Sequence, residues 1–584
     1  MQTSETSRIQ WLDWGPEAFK KAVTENKPIL IAISAVWCHW CHIQDKTTYS
    51  DHDVVRIVNR EYVPIRVDND KRPDINRRYN MGGWPTTVFL SPDGEVIAGG
   101  TYIPPEEMKD ALRKVKGLYL QEKAKAPSTA PLSAQPQKTL VAGISQGIID
   151  DVLTSVVMGF DSRYGGFGDG PKFPQTDALE LALAQYWYSG DKGLLTIVTK
   201  TLDNMAEGGM YDHEDGGFFR YSTNRDWTTP HYEKMCEDNA KLLPTYLHAY
   251  QVTGRDSYGQ LASEIIQYVN TTLADQERGG FYGSQDADES YYKLTKAERA
   301  KAKAPLVDET IYTNWNGLMI SAYLEAAAIL NDQALREHAL RSIQRLLKEA
   351  YNGERNAMYH YISGGTRQLK GLLTDQASFG KALIDAYQST GDAQYLSHAE
   401  LLVRYLDEGL LDSKNGGYYD SPPKPDSLGY LKRLDKPLDE NSALSMVLTR
   451  LYHATNDETY LERAKSTLDA LAAIYGGYGY AASMYALATD LLLNQPTRIV
   501  VVGARNESAT RQLHETSLRA YDPRKLVIPL DPDTDTERLQ RLGYSTEAEP
   551  QAYICFGRTC LSPVTDPAEI PRQLLASRNI SRRS

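Results

Sequence analysis

Five short turns, SGDKGL, TGRDSY, LNDQAL, TGDAQY and TNDETY, recur through the second two-thirds of the chain and leave few folds open to it. Their aspartates, Asp191, Asp256, Asp332, Asp392 and Asp457, are spaced by 65, 76, 60 and 65 residues. Each is a natural helix N-cap. An apolar helical run precedes each turn, as in ALELALAQYWY and FGKALIDAYQS, and a more polar amphipathic one follows, as in QYLSHAELLVRYLDE. A second beat, YGGFG, GGFFRY, GGFYGS, GGYYD and YGGYGY, falls after the polar helices. Alternating apolar and polar helices bury their apolar surface when the apolar ones form an inner ring and the polar ones wrap it. With GISQGIIDDVLTSVVM and AASMYALATDLLL closing the series, twelve helices make an (α/α)6 toroid over about residues 141–492.

The first 121 residues have another texture. PILIAIS reads as a buried strand, WCHWCH opens a helix, and YVPIRVD is a second strand. GGWPTTVFLSPDGEVIAGGTY then gives a Trp-Pro bond and a hairpin, and PPEEMKDALRKVKGLYLQEK a closing helix. That order is thioredoxin-like. The Ala/Pro/Ser/Lys-rich stretch over 122–140 reads as a linker. Past the toroid, TRIVVVG, KLVIPL and AYICFG predict strands of a small α/β unit over 493–584. The expected fold is multidomain: a thioredoxin-like α/β domain, an all-α (α/α)6 toroid, and a small C-terminal α/β unit.

The hexapeptide carries the first candidate site. A Cys at a helix N-terminus has its thiolate stabilised by unpaired N–H groups and the helix dipole. Cys38 is the expected exposed nucleophile, Cys41 the resolving thiol, and a protonated His39 or His42 would favour the thiolate further. Pro85 stands where the thioredoxin fold places a cis-proline facing the dithiol. CHWCH also satisfies the C-x-x-C-H pattern of haem attachment, which requires export. The N-terminal MQTSETSRIQWLDWG shows no basic region followed by an apolar core. Zinc on two Cys and two His would need tetrahedral closure over too short an arc. The redox dithiol is the preferred reading, with an inert thioredoxin fold as the bland one. No cofactor or metal is expected.

The second candidate site is the funnel at the inner-helix N-termini. PHYEKM offers His231 and Glu233, two residues apart, with Asp286 and Asp288 likewise paired on the neighbouring hairpin. These four are expected to build one acid/base pocket, with Trp315 as a stacking wall and Asn316, Asp375 and Asn441 as substrate-binding groups. Lys234, Asp238, Asn239, Asn314, Asp439 and Glu440 belong to the same polar set. Many have a plainer reading as helix caps. Tyr, at 38 against 10 Phe, suits sugar stacking or simple wall packing. Cys236 reads as a helix core residue, and Cys555 and Cys560 as structural thiols or an electron relay. The single glycine of VVGARNES is too weak a signal for nucleotide binding.

A net charge of −12 over 584 residues argues against nucleic-acid or anionic-membrane partners. Five cysteines fit a reducing compartment, so a cytoplasmic location is expected. WCHWCH, VDNDKRPDINRRY, GGWPTTVFLSPDG, GGFGDGPKFP, PHYEKMCEDNAKL and WNGLMISAYLEAA together resemble the spermatogenesis-associated protein 20 family, whose bacterial members are YyaL-like. The resemblance implies a toroid shared with six-hairpin glycosidases and sugar 2-epimerases. IQDKTTY departs from that family, which carries a glutamate after the hexapeptide. Two functions are expected. One is a thiol–disulfide module, with protein or small thiols as partners, joined to a sugar-active toroid of epimerase, isomerase or glycoside hydrolase type. The other is an oxidoreductase or folding factor whose toroid is a protein-recognition platform.

Overall fold

The computed structural model describes residues 8–124, 143–494, 496–546, 549–557 and 559–577. Most of the expected linker lies outside the described residues. Two compact units divide the chain.

The first unit comprises β1 (Leu12–Asp13), α1 (Pro16–Glu25), β2 (Ile29–Ser34), α2 (His39–Lys46), α3 (His52–Glu61), β3 (Val63–Asp68), α4 (Pro73–Tyr79), β4 (Thr86–Leu90), β5 (Val96–Gly100) and α5 (Pro105–Ala124). The sheet order is β1-β3-β2-β4-β5, with β2 parallel to β3 and antiparallel to β4. The central strand β2 is covered on both faces, so it reads as a continuous apolar run rather than an alternating one. Phe19, Ile75 and Tyr79 cover one face, and Val54, Val58, Met108 and Leu112 the other.

Two segments that the sequence assigned to the toroid, 286–288 and 421–435, belong to this unit. Tyr430 stacks on Tyr79 with ring centroids 5.0 Å apart, and its N–H donates to the Tyr79 hydroxyl at 2.7 Å. A Cβ on Gly94 would lie 2.4 Å from the Gly429 Cα, so this approach requires glycine.

The helical part of the second unit runs α6 (Gln146–Gly159), α7 (Thr176–Ser189), α8 (Lys192–Glu207), α9 (Cys236–Thr253), α10 (Asp256–Tyr268), short α11 (Glu289–Tyr292) and α12 (Lys296–Arg299), α13 (Thr313–Leu330), α14 (Gln333–Glu349), α15 (Leu373–Thr390), α16 (Ala393–Gly409), α17 (Leu438–Thr455), α18 (Glu458–Leu471) and α19 (Ser483–Asn494). Helices α7, α9, α13, α15, α17 and α19 each pack on two of their own set, and α19 returns to α7. That closed inner ring, with α6, α8, α10, α14, α16 and α18 outside it, is the (α/α)6 toroid.

Asp191, Asp332, Asp392 and Asp457 accept first-turn N–H groups as N-caps. Asp256 does not, because the extra Arg255 takes the cap position and shifts Asp256 into α10. Four Gly-Gly-aromatic turns share one device. Asp161, Asp212, Asp275 and Asp412 open them, and a cation pairs with each: Lys172, Lys234, Arg345 and Lys436. The same cations donate to the carbonyls of Gly165, Gly216, Gly279 and Gly416. Lys234, expected at the funnel, is therefore a turn lock, 1% exposed. The fifth motif, YGGYGY, folds differently, as part of the 3-10 segment Tyr475–Ala482.

Short strands fringe the inner-helix N-termini: β6 (Tyr221–Ser222) with β7 (Pro230–His231), then β8 (Lys234–Met235), β9 (Ser284–Gln285) and β10 (Val307–Asp308), then β11 (Ile311–Tyr312), β12 (Tyr351–Asn352), β13 (Ala357–Ser363) and β14 (Thr366–Lys370). The C-terminal part packs with the toroid as one unit. It contains β15 (Thr497–Val502), α20 (Ser508–Arg519), β16 (Lys525–Leu530), α21 (Thr536–Leu542), β17 (Gln551–Phe556), β18 (Thr559–Cys560) and α22 (Glu569–Ser577). Its sheet order is β16-β15-β17-β18. Cys555 and Cys560 face each other across the β17–β18 hairpin and form a disulfide, in place of the separate thiols expected.

Candidate functional sites: a helix-capping dithiol and a charged toroid lumen

Cys38 is the N-cap of α2, and its Sγ accepts the Cys41 backbone N–H at 3.2 Å. The two cysteines form a disulfide with Cα atoms 5.2 Å apart. Cys38 and Cys41 are 3% and 2% exposed, so the expected greater exposure of Cys38 is not found in the oxidised form. Trp37 draws the loop inward: its Nε1 donates to buried Asp70 at 2.6 Å, and its ring meets Trp84 edge-on at 5.8 Å. The Trp84–Pro85 bond is cis. Buried Gln44 ties Thr87 to the Ile103 N–H, and Asp45 makes two bonds with Arg66. Gln44 and Asp45 of IQDKTTY are thus committed to the scaffold.

A carboxylate reaches this helix from far along the chain. Asp286 Oδ1 lies 3.1 Å from His42 Nε2. This hydrogen bond, stronger than the opposing effect of burial, raises the His42 pKa. His42 stands four residues after Cys38, so its side chain projects over the same side of α2.

That contact engages Asp286, one of the four residues expected to share one pocket. His231 Nδ1 meets Glu233 Oε1 at 2.9 Å, and the imidazole stacks on Tyr221 at 4.8 Å. Glu233 is 1% exposed. Asp286 and Asp288 belong to the first unit.

The expected substrate amides prove to be clamps. Asn316 accepts from the Phe281 N–H and donates to the Phe281 and Tyr312 carbonyls, at 2.8, 2.9 and 2.8 Å. Asn441 does the same with Tyr418 and Pro437, as does Asn239 with Phe218 and Met235. Gln376 takes the role for Met358 and Leu372. Each inner helix here holds a fringe turn by one buried amide. Asp375 is fully buried and meets His360 Nδ1 at 2.9 Å. Trp315 is 7% exposed, its ring tilted 51° against Tyr312 at 4.5 Å, which leaves little of it open as a stacking wall.

Nine residues beyond the four clamps stand His248, Glu325, Asp385 and Arg450, one charge on each of four successive inner helices. They pair between neighbouring inner helices: His248 Nε2 with Glu325 at 2.7 Å, and Arg450 with Asp385 at 2.8 Å. Glu180 holds His248 Nδ1 at 2.9 Å, and Lys381 joins Asp385 at 2.8 Å. Burial alone would discharge His248, but the two flanking carboxylates outweigh it and hold it well above its ordinary value. Burial likewise opposes ionised Glu325, yet His248 pulls it down to about 2.

Nearer the N-terminal mouth, Glu237 pairs with Lys241 at 2.7 Å, and both side chains stay about one-third exposed. Burial would raise Glu237, but Lys241 holds it below its usual range. Burial, reinforced by Glu237, pushes Asp238 up to about 7. Asp177 is raised by burial as well. Asp177, Glu180, Glu237, Lys241, His248 and Glu325 were missed in the sequence. The available signal was a stripe of isolated charges on helices otherwise apolar.

The fold and these sites define a class: a thioredoxin-like dithiol domain joined to a helical toroid of the sugar-epimerase type. The model Thioredox_DsbH, described as "Protein of unknown function, DUF255", matches residues 1–131. The model "N-acylglucosamine 2-epimerase (GlcNAc 2-epimerase)" matches residues 174–429. From end to end the chain is similar to spermatogenesis-associated protein 20: it is 26% identical to the human protein over 97% of this chain and 90% of that one. The mouse protein matches at 26% over 97% and 89%. A cellobiose 2-epimerase from Bacteroides fragilis is 36% identical over 75 residues, 13% of this chain and 19% of that one. Among solved structures, cellobiose 2-epimerase from Spirochaeta thermophila gives a TM-score of 0.49 at 16% identity, over 62% of this chain and 98% of that chain. No helix among the described residues is long and apolar enough to cross a membrane.

Proposed function

We propose that the first unit exchanges disulfides with protein or small-molecule thiols through Cys38 and Cys41. The placement of the Cys38 sulfur at the α2 N-terminus, accepting the Cys41 N–H, supports this reading. The reduced Cys38 thiolate attacks a partner disulfide, forming a mixed disulfide and releasing one partner thiolate. Cys41 then gives up its proton and attacks the Cys38 sulfur. The Cys38–Cys41 bond forms as the second partner thiolate leaves, so two electrons pass to the partner. A cationic His42, held by Asp286, favours the Cys38 thiolate.

Cys41→Ser should trap the mixed disulfide, and glutathione equilibration should place the pair at roughly −270 to −200 mV. Equal alkylation of Cys38 and Cys41 in the reduced protein at neutral pH, with no trapped adduct, would remove the assignment.

We propose in turn that the toroid lumen takes a saccharide. Neighbouring carboxyls driven apart, Asp238 up and Glu237 down, support it, since acid and base roles need such a split. The match to a cellobiose 2-epimerase supports a saccharide as ligand class. Calorimetry with a disaccharide panel tests it. Binding by wild type that Asp238→Ala abolishes is expected, and no binding at millimolar sugar would favour the protein-recognition platform.

A further inference from the structure

We propose that the cavity of about 410 Å³ between the β15–α20 turn and the far ends of the inner helices binds a phosphate-bearing small molecule. Its size suits a nucleotide or a sugar phosphate. It shares Leu324, Ala328, Ser389 and Leu518 with the cavity lined by the charged layer of the lumen, but none of those lumen charges lines it.

The cavity opens at the C-terminal ends of β15 and β16, which are parallel. Open α/β sheets bind ligands at that edge. Gly503 follows β15, and a Cβ there would lie 2.4 Å from Thr510 Oγ1, so glycine lets the first turn of α20 close on the strand end. Helix α20 is 12 residues long, and its N-cap, Glu507, makes no side-chain capping bond. First-turn N–H groups of such a helix are anion donors.

A second observation is independent of that helix end. Thr510 lines the cavity, is 6% exposed, and its Oγ1 has no partner among the described residues. A buried hydroxyl without a partner is costly unless something occupies the space before it.

The charge around it is positive. Arg336 of the toroid is oriented by Ser389, with its Nε and Nη2 donating to Oγ and O at 3.0 Å each. Arg511 and Arg519 donate to the Asn506 and Ala328 carbonyls. None of the three meets a carboxylate among the described residues, whereas Arg505 is held by Asp535 at 2.6 Å. Arg336 and Arg505 both act on His514: burial first, then these two charges, bring its imidazole down to about 4. Neutral His514 faces the Gln388 carbonyl at 2.7 Å. Two acids also line the cavity. Asp332 is engaged in capping α14, accepting from the Ala334 and Leu335 N–H groups, and Glu515 is exposed. Guanidiniums already oriented by carbonyls, with their charge unneutralised, are what a phosphate group requires.

The test is calorimetric titration of the full chain with pyrophosphate, ADP and glucose 6-phosphate, at low and high salt. At least one should bind with a Kd below about 1 mM, more weakly at high salt. Arg511→Ala, on the exposed rim, and Arg336→Ala should each weaken binding about tenfold, and Thr510→Val less, with unliganded melting unchanged for Arg511→Ala. ADP alone binding would mark a nucleotide site, and glucose 6-phosphate alone a sugar phosphate site. Equal binding of all three would mean that the phosphate itself is recognised. Failure of all three to bind at 10 mM (roughly −2.7 kcal/mol or weaker), or unaltered affinity in both arginine variants, overturns the proposal.

Discussion

Replacing Asn316 by Ala should destabilise the toroid without touching a ligand. Its amide is fully buried and makes three bonds: one accepted from the Phe281 N–H, and two donated to the Phe281 and Tyr312 carbonyls. Phe281 is itself fully buried, so water cannot replace the lost partner. Each buried backbone group left unpaired costs about 1–3 kcal/mol, and the Phe281 N–H and carbonyl together make about 2–6 kcal/mol. With a denaturant slope of about 3 kcal/mol/M, the urea midpoint of the second unit should fall by roughly 1 M at unchanged slope. Circular dichroism at the helical band reads the transition. Asn239→Ala and Asn441→Ala remove the same clamp at Phe218 and Tyr418 and should give comparable losses. Midpoint shifts below about 0.3 M in all three variants would refute the clamp reasoning. A loss of saccharide binding at unchanged midpoint would restore these amides to substrate recognition.

Asp286→Asn should lower the His42 pKa, read by NMR titration of the imidazole, and slow alkylation of reduced Cys38 at neutral pH. The pair's contribution to stability is present below the unfolded-state histidine value and is lost as pH rises through the raised folded value, so the variant should lack that step. An unchanged His42 titration would separate Asp286 from the dithiol. Asp238 has its pKa raised from 3.8 to about 7, so the folded state binds the extra proton and wild type loses stability as pH climbs between those values. Asp238→Asn should flatten that slope in urea titrations at pH 4, 6 and 8, and a parallel curve would show that Asp238 titrates normally.

Periodicity carried the architecture. Apolar and polar helices alternating at near-constant spacing can bury their apolar surface as an inner ring, and capping aspartates mark the joints, with Asp256 displaced by one inserted residue. WCHWCH announced the dithiol because helix-end chemistry is local: four residues hold the nucleophile, the resolving thiol and the N–H between them. The buried amides were visible as residues and misread in role, since sequence does not say which way an Asn points.

What only the tertiary structure decided depends on pairs distant in the chain. Asp286 lies 244 residues from His42, and Tyr430 lies 351 from the Tyr79 hydroxyl it contacts. The charges of the lumen are legible one by one in the sequence. Whether His248 is an imidazolium between two carboxylates or a neutral base follows only from the packing of α7 and α13 on α9, which brings Glu180 and Glu325 to its two nitrogens. Spacing along a helix fixes which face a side chain occupies; desolvation and Coulomb attraction, which set its charge, depend on neighbours that the fold supplies from elsewhere.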